Sequence, residues 1–344
     1  MKIGLGPYGM QAPPESGFSH VQLYREMLEQ IEVAEELGYD SVWLTEHHFL
    51  PDGYLPALLT CAAGMATRTS RIKIGLGVIL LPLYDPIHLA EEAAVVDLLS
   101  EGRLIFGIAP GYRPEEFAGF RIPREKRGAR MEEIMNILIR AWTQERFSFA
   151  GKFYSYTDMA VTPKPVQKPH PPIWIGASIK EGVRRVAKYG LPLLASPRHR
   201  LEELEAHYAM YQDFCDAFGT QGPLRPVMRD VYVAETTAQA EAEAREHVVY
   251  IHREWYGAWS QWRPFTTDQG KRVADKSEVQ FEEIRGRFII GDPDSVSQEI
   301  EQYRQKLGMD YLIVRMQFPG LAHDKALCSM RLFAKEVMPR FADH

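Results

Sequence analysis

Residues 41–49 read S-V-W-L-T-E-H-H-F: an apolar run, Ser41-Val42-Trp43-Leu44, followed at once by an acid and two histidines, Glu46, His47 and His48. The apolar half has the length and composition of a buried strand, and the polar half lies where that strand ends. Such a cluster can be a metal site, an acid/base pair or a polar strand cap, and the surrounding pattern has to decide.

Working outward, short apolar runs alternate with longer amphipathic ones along almost the whole chain. Candidate strands are Ile3–Gly6, Ser41–Thr45, Ile72–Ile79, Leu104–Ala109, Ile173–Gly176, Pro192–Ala195, Pro226–Ala234 and Tyr311–Met316. Between them fall helical patterns: His20–Leu37, Leu55–Thr67, Ile87–Leu99, Arg130–Trp142, Lys180–Lys188, Leu201–Phe218, Gln239–Trp255, Pro293–Leu307 and Lys325–Val337. The first carries apolar residues at 21, 23, 24, 27, 28, 31, 34 and 37, close to the 3.6-residue period, and stops at Gly38. Strands that are each followed by a helix imply a parallel sheet covered by helices, and closing it removes both edges. The expectation is a single-domain (β/α)8 TIM barrel spanning residues 1–344. A dinucleotide-binding open sheet is the rival. Its glycine turn is matched only superficially by G-L-G-P-Y-G at 4–9, because the prolines that follow read as loop.

Composition narrows the function. The chain has 344 residues, 45% hydrophobic and 25% charged, with a net charge of −6 and no long basic run, which argues against nucleic acid or an anionic membrane as partner. Cys61, Cys215 and Cys328 are far apart and odd in number, so a disulfide framework is not expected. Without a signal-like apolar stretch at the start or a ~20-residue apolar span anywhere, a cytoplasmic protein is expected.

In a barrel, the loops after the strands gather at one face and form the active site, which gives the 45–49 cluster its meaning. Neighbouring strand residues point to opposite sides, so His47 and His48 diverge rather than grip one ion, and acid/base work fits better than a zinc triad; no metal is expected. Gly75 and Gly77 at the end of the third strand permit close approach of something flat, or unusual backbone angles, and Ala109 and Gly111 are small residues at the end of the fourth. Ser178 sits where a helix begins, a place that suits a phosphate, and Arg130 is the candidate cation. Together these suit a planar, phosphorylated cofactor. Two long connections stand out: 147–172, hairpin-like and then proline-rich, and 259–287, preceded by the aromatics Trp255, Tyr256, Trp259 and Trp262. The spacing of 255, 259 and 262 puts three rings on one helical face, to pack on the barrel wall or to line an apolar substrate pocket under a lid.

The segment S-V-W-L-T-E-H-H-F, the run D-P-I-H-L-A-E-E-A-A-V-V-D-L-L-S-E-G-R-L-I-F-G-I from Asp85, and M-R-L-F-A-K-E-V-M-P-R-F from Met330 together resemble the bacterial luciferase-like flavin monooxygenases, over Ile3 to Phe341. The resemblance implies an oxygenase that takes reduced FMN from a separate reductase and reacts it with O2 to a flavin C4a-hydroperoxide. An aldehyde or other apolar organic substrate is then oxygenated. It implies proton transfer by His47 with Glu46 bordering the flavin, a structural His48, and a ring over Gly77, Val78, Ala109 and Gly111. The phosphate would lie at Ala177 and Ser178, with Arg130. It further implies a cis peptide at Gly77–Val78, and a homodimer through helices rich in small residues (Ala57, Ala62, Ala63, Gly64 and Ala66, then Ala90, Ala93 and Ala94). The light-emitting catalytic subunits carry a cysteine and an arginine where this chain has Ala109 and Pro110, and a tryptophan where it has Pro197, which makes bioluminescence an unexpected role. An F420- or flavin-dependent hydride-transfer enzyme and a non-catalytic flavin-binding partner subunit are the alternatives.

Overall fold

The computed structural model describes residues 1–257 and 265–342, with only the backbone of 255–257. The four aromatics Trp255, Tyr256, Trp259 and Trp262 therefore lie outside the described side chains.

The strands are β1 (Lys2–Tyr8), β2 (Ser41–Leu44), β3 (Lys73–Leu76), β4 (Ile79–Leu80), β5 (Leu104–Ala109), β6 (Phe147–Ala150), β7 (Ser155–Met159), β8 (Ile173–Gly176), β9 (Leu193–Leu194), β10 (Pro226–Val233), β11 (Phe265–Thr266), β12 (Arg272–Val273), β13 (Phe288–Gly291) and β14 (Tyr311–Arg315). The helices are α1 (His20–Glu36), α2 (Leu58–Arg68), α3 (Pro86–Leu99), α4 (Pro114–Gly119), α5 (Arg127–Thr143), α6 (Lys180–Lys188), α7 (Leu201–Phe218), α8 (Thr237–Tyr250), α9 (Phe281–Ile284), α10 (Pro293–Leu307) and α11 (His323–Leu332).

Ten strands form one sheet in the order β13-β10-β14-β1-β2-β3-β5-β8-β9, with β4 beside β5. Every pairing in it is parallel. It curls into the expected (β/α)8 barrel. At the seam between β9 and β10 the buried Tyr208 hydroxyl donates to the Pro226 carbonyl and lies 3.2 Å from that of Leu193. The sequence reading missed β13. Its register explains the extra strand: Pro226–Asp230 of β10 pair with β14, while Asp230–Val233 pair with β13. The hairpin expected after Phe147 is present as β6–β7, antiparallel.

The interior of the barrel is plugged. Trp43, Ile105, Trp174, Leu194, Met228, Tyr311 and Ile313 form one buried cluster from β2, β5, β8, β9, β10 and β14. Trp43 and Trp174 lie 4.9 Å apart, and Trp174 meets Tyr311 edge-on at 5.1 Å. Full burial of such a ring stabilises the fold by roughly 3 kcal/mol. Room for Trp43 comes from glycines: a Cβ on Gly75 would lie 2.3 Å from its ring, and one on Gly4 2.7 Å from its Nε1. Gly75 thus admits something flat, as expected, but the flat group is the protein's own indole rather than a ligand. Among the described residues no helix is long and apolar enough to cross a membrane.

Candidate active site

β2 ends at Leu44, and the Thr45 N–H still donates to the Tyr8 carbonyl of β1 at 3.1 Å, so residues 46–48 leave the sheet at the C-terminal mouth. There the two histidines diverge to different carboxylates. His47 Nδ1 lies 2.8 Å from Glu116 Oε1, and His48 Nε2 lies 2.6 Å from Glu46 Oε1.

Glu116 comes from α4, which the sequence reading absorbed into the loop after the fourth strand. The helix starts at Pro114 with Glu115 and Glu116 in its first turn, where the helix dipole favours acids. Glu116 is 0% exposed, and its Oε1 also accepts from the His48 N–H at 3.1 Å and faces Arg113 Nη1 at 3.5 Å. A carboxylate accepting from Nδ1 fixes the tautomer of His47, so that Nε2 is the nitrogen that exchanges protons. The ring is flanked edge-on by Tyr54 at 5.0 Å and Tyr112 at 5.6 Å, and its side chain is 12% exposed.

Glu46, expected to border the flavin, faces His48 rather than His47. It is 1% exposed; Oε1 accepts from Tyr84 at 2.9 Å as well as facing His48, and Oε2 accepts from the Leu80 N–H at 3.1 Å. Burial and the Glu46 carboxylate push the Tyr84 hydroxyl far above the usual tyrosine range, so it stays a donor. The geometry gives Glu46 the part of a buried tie between the 45–49 loop and β4. His48 shares that part: its carbonyl accepts from Arg113 Nη1 at 2.6 Å.

Next to this tie the Gly77–Val78 peptide is cis, as the resemblance implied. Val78, Ala109 and Gly176, from the ends of three neighbouring strands, meet: a Cβ on Gly176 would lie 3.2 Å from Ala109 Cβ and 3.3 Å from Val78 Cγ1. Phe117, the neighbour of Glu116, packs with Leu80, Leu83 and Val78, which sets the His47–Glu116 pair beside this small-residue wall. Gly111 serves a different end. It is buried at φ +70, and a Cβ there would crowd Phe117 at 3.3 Å, so it makes the turn into α4.

Around α6, where a phosphate was expected, the named side chains are placed as follows. Arg130 Nε donates to the Pro82 carbonyl at 3.0 Å, and the guanidinium lies over the Tyr154 ring at 4.8 Å, which commits it to packing. One turn earlier on α5, Arg127 has its ordinary range lowered by burial and by the neighbouring guanidiniums of Arg124 and Arg185. Arg127 Nη1 donates to the Arg124 carbonyl at 3.0 Å, and Arg185 Nε lies 3.3 Å from Glu132 Oε2. Arg185 belongs to α6, whose N-cap Ile179 offers its first turn no side-chain acceptor. Ser178 immediately precedes that cap, and Ala177, 8% exposed, packs on the first turn at Gly182.

Deeper, behind the mouth, Arg315 and Asp230 form a buried ion pair between β14 and β10, with Nη2–Oδ2 at 2.7 Å. Burial opposes the charge on Asp230, but the Arg315 guanidinium holds the carboxyl at about 2. His252 lies 3.9 Å from it and burial lowers the imidazole to about 4. Among the described residues no group of three or more His, Cys, Asp or Glu is placed to hold a metal ion.

A parallel barrel with a carboxylate-oriented histidine at its C-terminal mouth and a small-residue wall beside it has the layout of a barrel enzyme, whose site is built at that face. The chain belongs to the luciferase-like monooxygenase family, matching it over residues 7–311. It is 27% identical, over 94% of this chain and 91% of the relative, to the oxygenase component of flavin-dependent trigonelline monooxygenase from Acinetobacter baylyi. It is 26% identical, over 92% of this chain and 94% of the relative, to F420-dependent glucose-6-phosphate dehydrogenase from Amycolatopsis mediterranei. The crystal structure of the monooxygenase RslO1 from Streptomyces bottropensis superposes with a TM-score of 0.87 at 25% identity, covering 99% of this chain and all of that one.

Proposed function

We propose that the protein is the oxygenase component of a two-component flavin-dependent monooxygenase. It takes reduced FMN from a separate reductase and uses O2 to oxygenate an aldehyde or another apolar organic substrate. The observation that carries this reading is the His47–Glu116 pair standing beside the wall of Val78, Ala109 and Gly176. The residues fit a flavin: the wall admits a ring at close range, and the cations around α6 match a phosphate. Gly77–Val78 and Ala109 would border the ring. Ser178, Ala177 and the start of α6 would receive the phosphate, with Arg127 in the part first expected of Arg130.

Reduced FMN, when bound, supplies the electrons with which O2 delivers one oxygen atom to the substrate and leaves the other as water. The chain's own task is to orient the ring and to manage protons. Glu116 holds His47 in the Nδ1–H tautomer, and His47 gives and takes the proton at Nε2. Glu46 and His48 keep the loop in place. The name of the flavin-dependent relative supports this reading. The F420-dependent relative supports hydride transfer on the same site, since an oriented histidine serves that reaction too. The test supplies the purified protein with a flavin reductase, FMN, NADH and a panel of aldehydes under 18O2. Incorporation of 18O into product bears the reading out; anaerobic reduction of F420 by an alcohol, with no oxygen incorporation, contradicts it.

Assembly as a homodimer is part of the same proposal. Ala62, Ala66, Ala90, Ala93 and Ala94 are buried within the subunit, so they pack α2 and α3 onto the barrel. The outer face of α3 instead offers Val95, Leu98 and Leu99, each 40% exposed or more, and Gly64 of α2 faces open space. Those residues are the contact surface a partner copy would cover.

A further inference from the structure

His207 of α7 has both ring nitrogens against backbone carbonyls. Nδ1 lies 2.6 Å from the Glu203 carbonyl, one turn back on its own helix, and Nε2 lies 3.1 Å from the Ser178 carbonyl. A carbonyl oxygen only accepts, so each contact is a hydrogen bond only when the facing nitrogen carries a proton. The Nε2 contact is the informative one. It joins α7 to the loop 177–179 that leads from β8 into α6, whose N-cap, Ile179, has no side chain that can accept from the helix. His199, from the segment between β9 and α7, stacks on the His207 ring at 4.5 Å. That segment is itself pinned: Arg229, fully buried on β10, donates to the carbonyls of Pro197 at 2.7 Å and His199 at 2.8 Å. The imidazole is thus held from two sides and turns Nε2 to the Ser178 carbonyl, to which it donates when that nitrogen carries the proton.

We propose that His207 is a positioning residue for the cofactor's phosphate: through the Ser178 carbonyl it sets the 177–179 loop so that the first N–H groups of α6 point at the phosphate. This rests on the reading that a flavin phosphate is received there. A turn of backbone that binds an anion through its N–H groups must have its carbonyls directed away, and a donor fastened to the Ser178 carbonyl enforces that orientation. The role belongs to a residue outside the site, which touches neither ring nor substrate.

The experiment compares reduced FMN with reduced riboflavin, which lacks only the phosphate, in anaerobic titrations followed by quenching of tryptophan fluorescence. It uses the wild type, His207→Ala and His207→Gln. The proposal expects the wild type to prefer FMN. His207→Ala should weaken FMN binding about tenfold, the order of one net hydrogen bond to a positioned group, with riboflavin affinity unchanged. His207→Gln, whose amide can donate to the Ser178 carbonyl, should retain most of the preference. Should the alanine variant not fold, His207→Asn, too short to reach Ser178, takes its place. If the wild type prefers FMN and the alanine or asparagine variant keeps that preference, or loses affinity for both flavins equally, the positioning role is overturned. If the wild type itself fails to distinguish the two flavins, the phosphate reading falls, and this role with it.

Discussion

Glu116→Gln keeps the shape of the side chain and removes its charge. In the native protein Oε1 receives His47 Nδ1 at 2.8 Å and the His48 N–H at 3.1 Å, and faces Arg113 Nη1 at 3.5 Å. A hydrogen bond to a charged group exceeds a neutral one by ~1 kcal/mol, and two of the three partners are cations or can become so. The expected loss is therefore ~2 kcal/mol of folding stability, against ~3–5 kcal/mol for Glu116→Ala, which also leaves the buried Arg113 guanidinium without this carboxylate. Catalysis should suffer more than stability. The amide can turn its NH2 toward Nδ1 and reverse the tautomer of His47, so turnover should fall about 10- to 100-fold, part of what a positioned acid/base group contributes. Urea unfolding at pH 7.5, followed by oxygen uptake under reductase-coupled conditions, reads both quantities. A glutamine variant within ~0.5 kcal/mol of wild type and within twofold in turnover would refute the view that this carboxylate orients the histidine.

Three further outcomes are expected. Asp230→Asn leaves the buried Arg315 cation without its counter-charge and should cost ~3–5 kcal/mol, whereas Asp230→Asn combined with Arg315→Met should recover part of the loss in urea unfolding. Burial raises Glu299 to about 7, opposed by Arg285, so its protonated form favours the fold below its unfolded value and that stability is lost as pH rises through about 7; Glu299→Gln should raise the free energy of urea unfolding more at pH 8 than at pH 5, by ~1 kcal/mol after solvent screening. Leu98→Glu with Leu99→Glu should turn a dimer into a monomer in light scattering, while a wild type that is monomeric at micromolar concentration would remove the interface.

Local pattern was enough for much of the architecture. The bounds of α7 and α10 follow from apolar periodicity closed by Gly219 and Gly308, both in the left-handed conformation that glycine accommodates. Strand β13 escaped because Phe288–Gly291 is four residues long and sits at the end of a polar connection, where period-2 alternation cannot register. The site was legible at one end only. That His47 and His48 diverge follows from strand geometry, but which carboxylate each one meets depends on contacts across the fold. Glu116 is 69 positions from His47 in sequence and lies on a six-residue helix too short to show a period. The choice between Arg127 and Arg130 has the same origin. They stand about one turn apart on α5, so periodicity puts both on one face, and only the fold shows that Arg130 meets Pro82 and Tyr154 while Arg127 meets the Arg124 carbonyl. The glycines of the third strand illustrate the opposite error: absence of a side chain shows that something comes close, and here, at Gly75, it is Trp43.

The central claim is that one histidine of the pair works and the other holds structure. Turnover of His47→Ala and His48→Ala, measured with the same substrate and reductase beside flavin affinity and urea unfolding, tests it most directly. His47→Ala should lose ~10²–10⁴-fold in turnover while binding flavin and folding as the wild type does. His48→Ala should instead lose stability, because Glu46 gives up the partner it holds at 2.6 Å. Equal losses of turnover in the two variants at unchanged flavin affinity and stability, or a His47→Ala enzyme that keeps wild-type turnover, would contradict it.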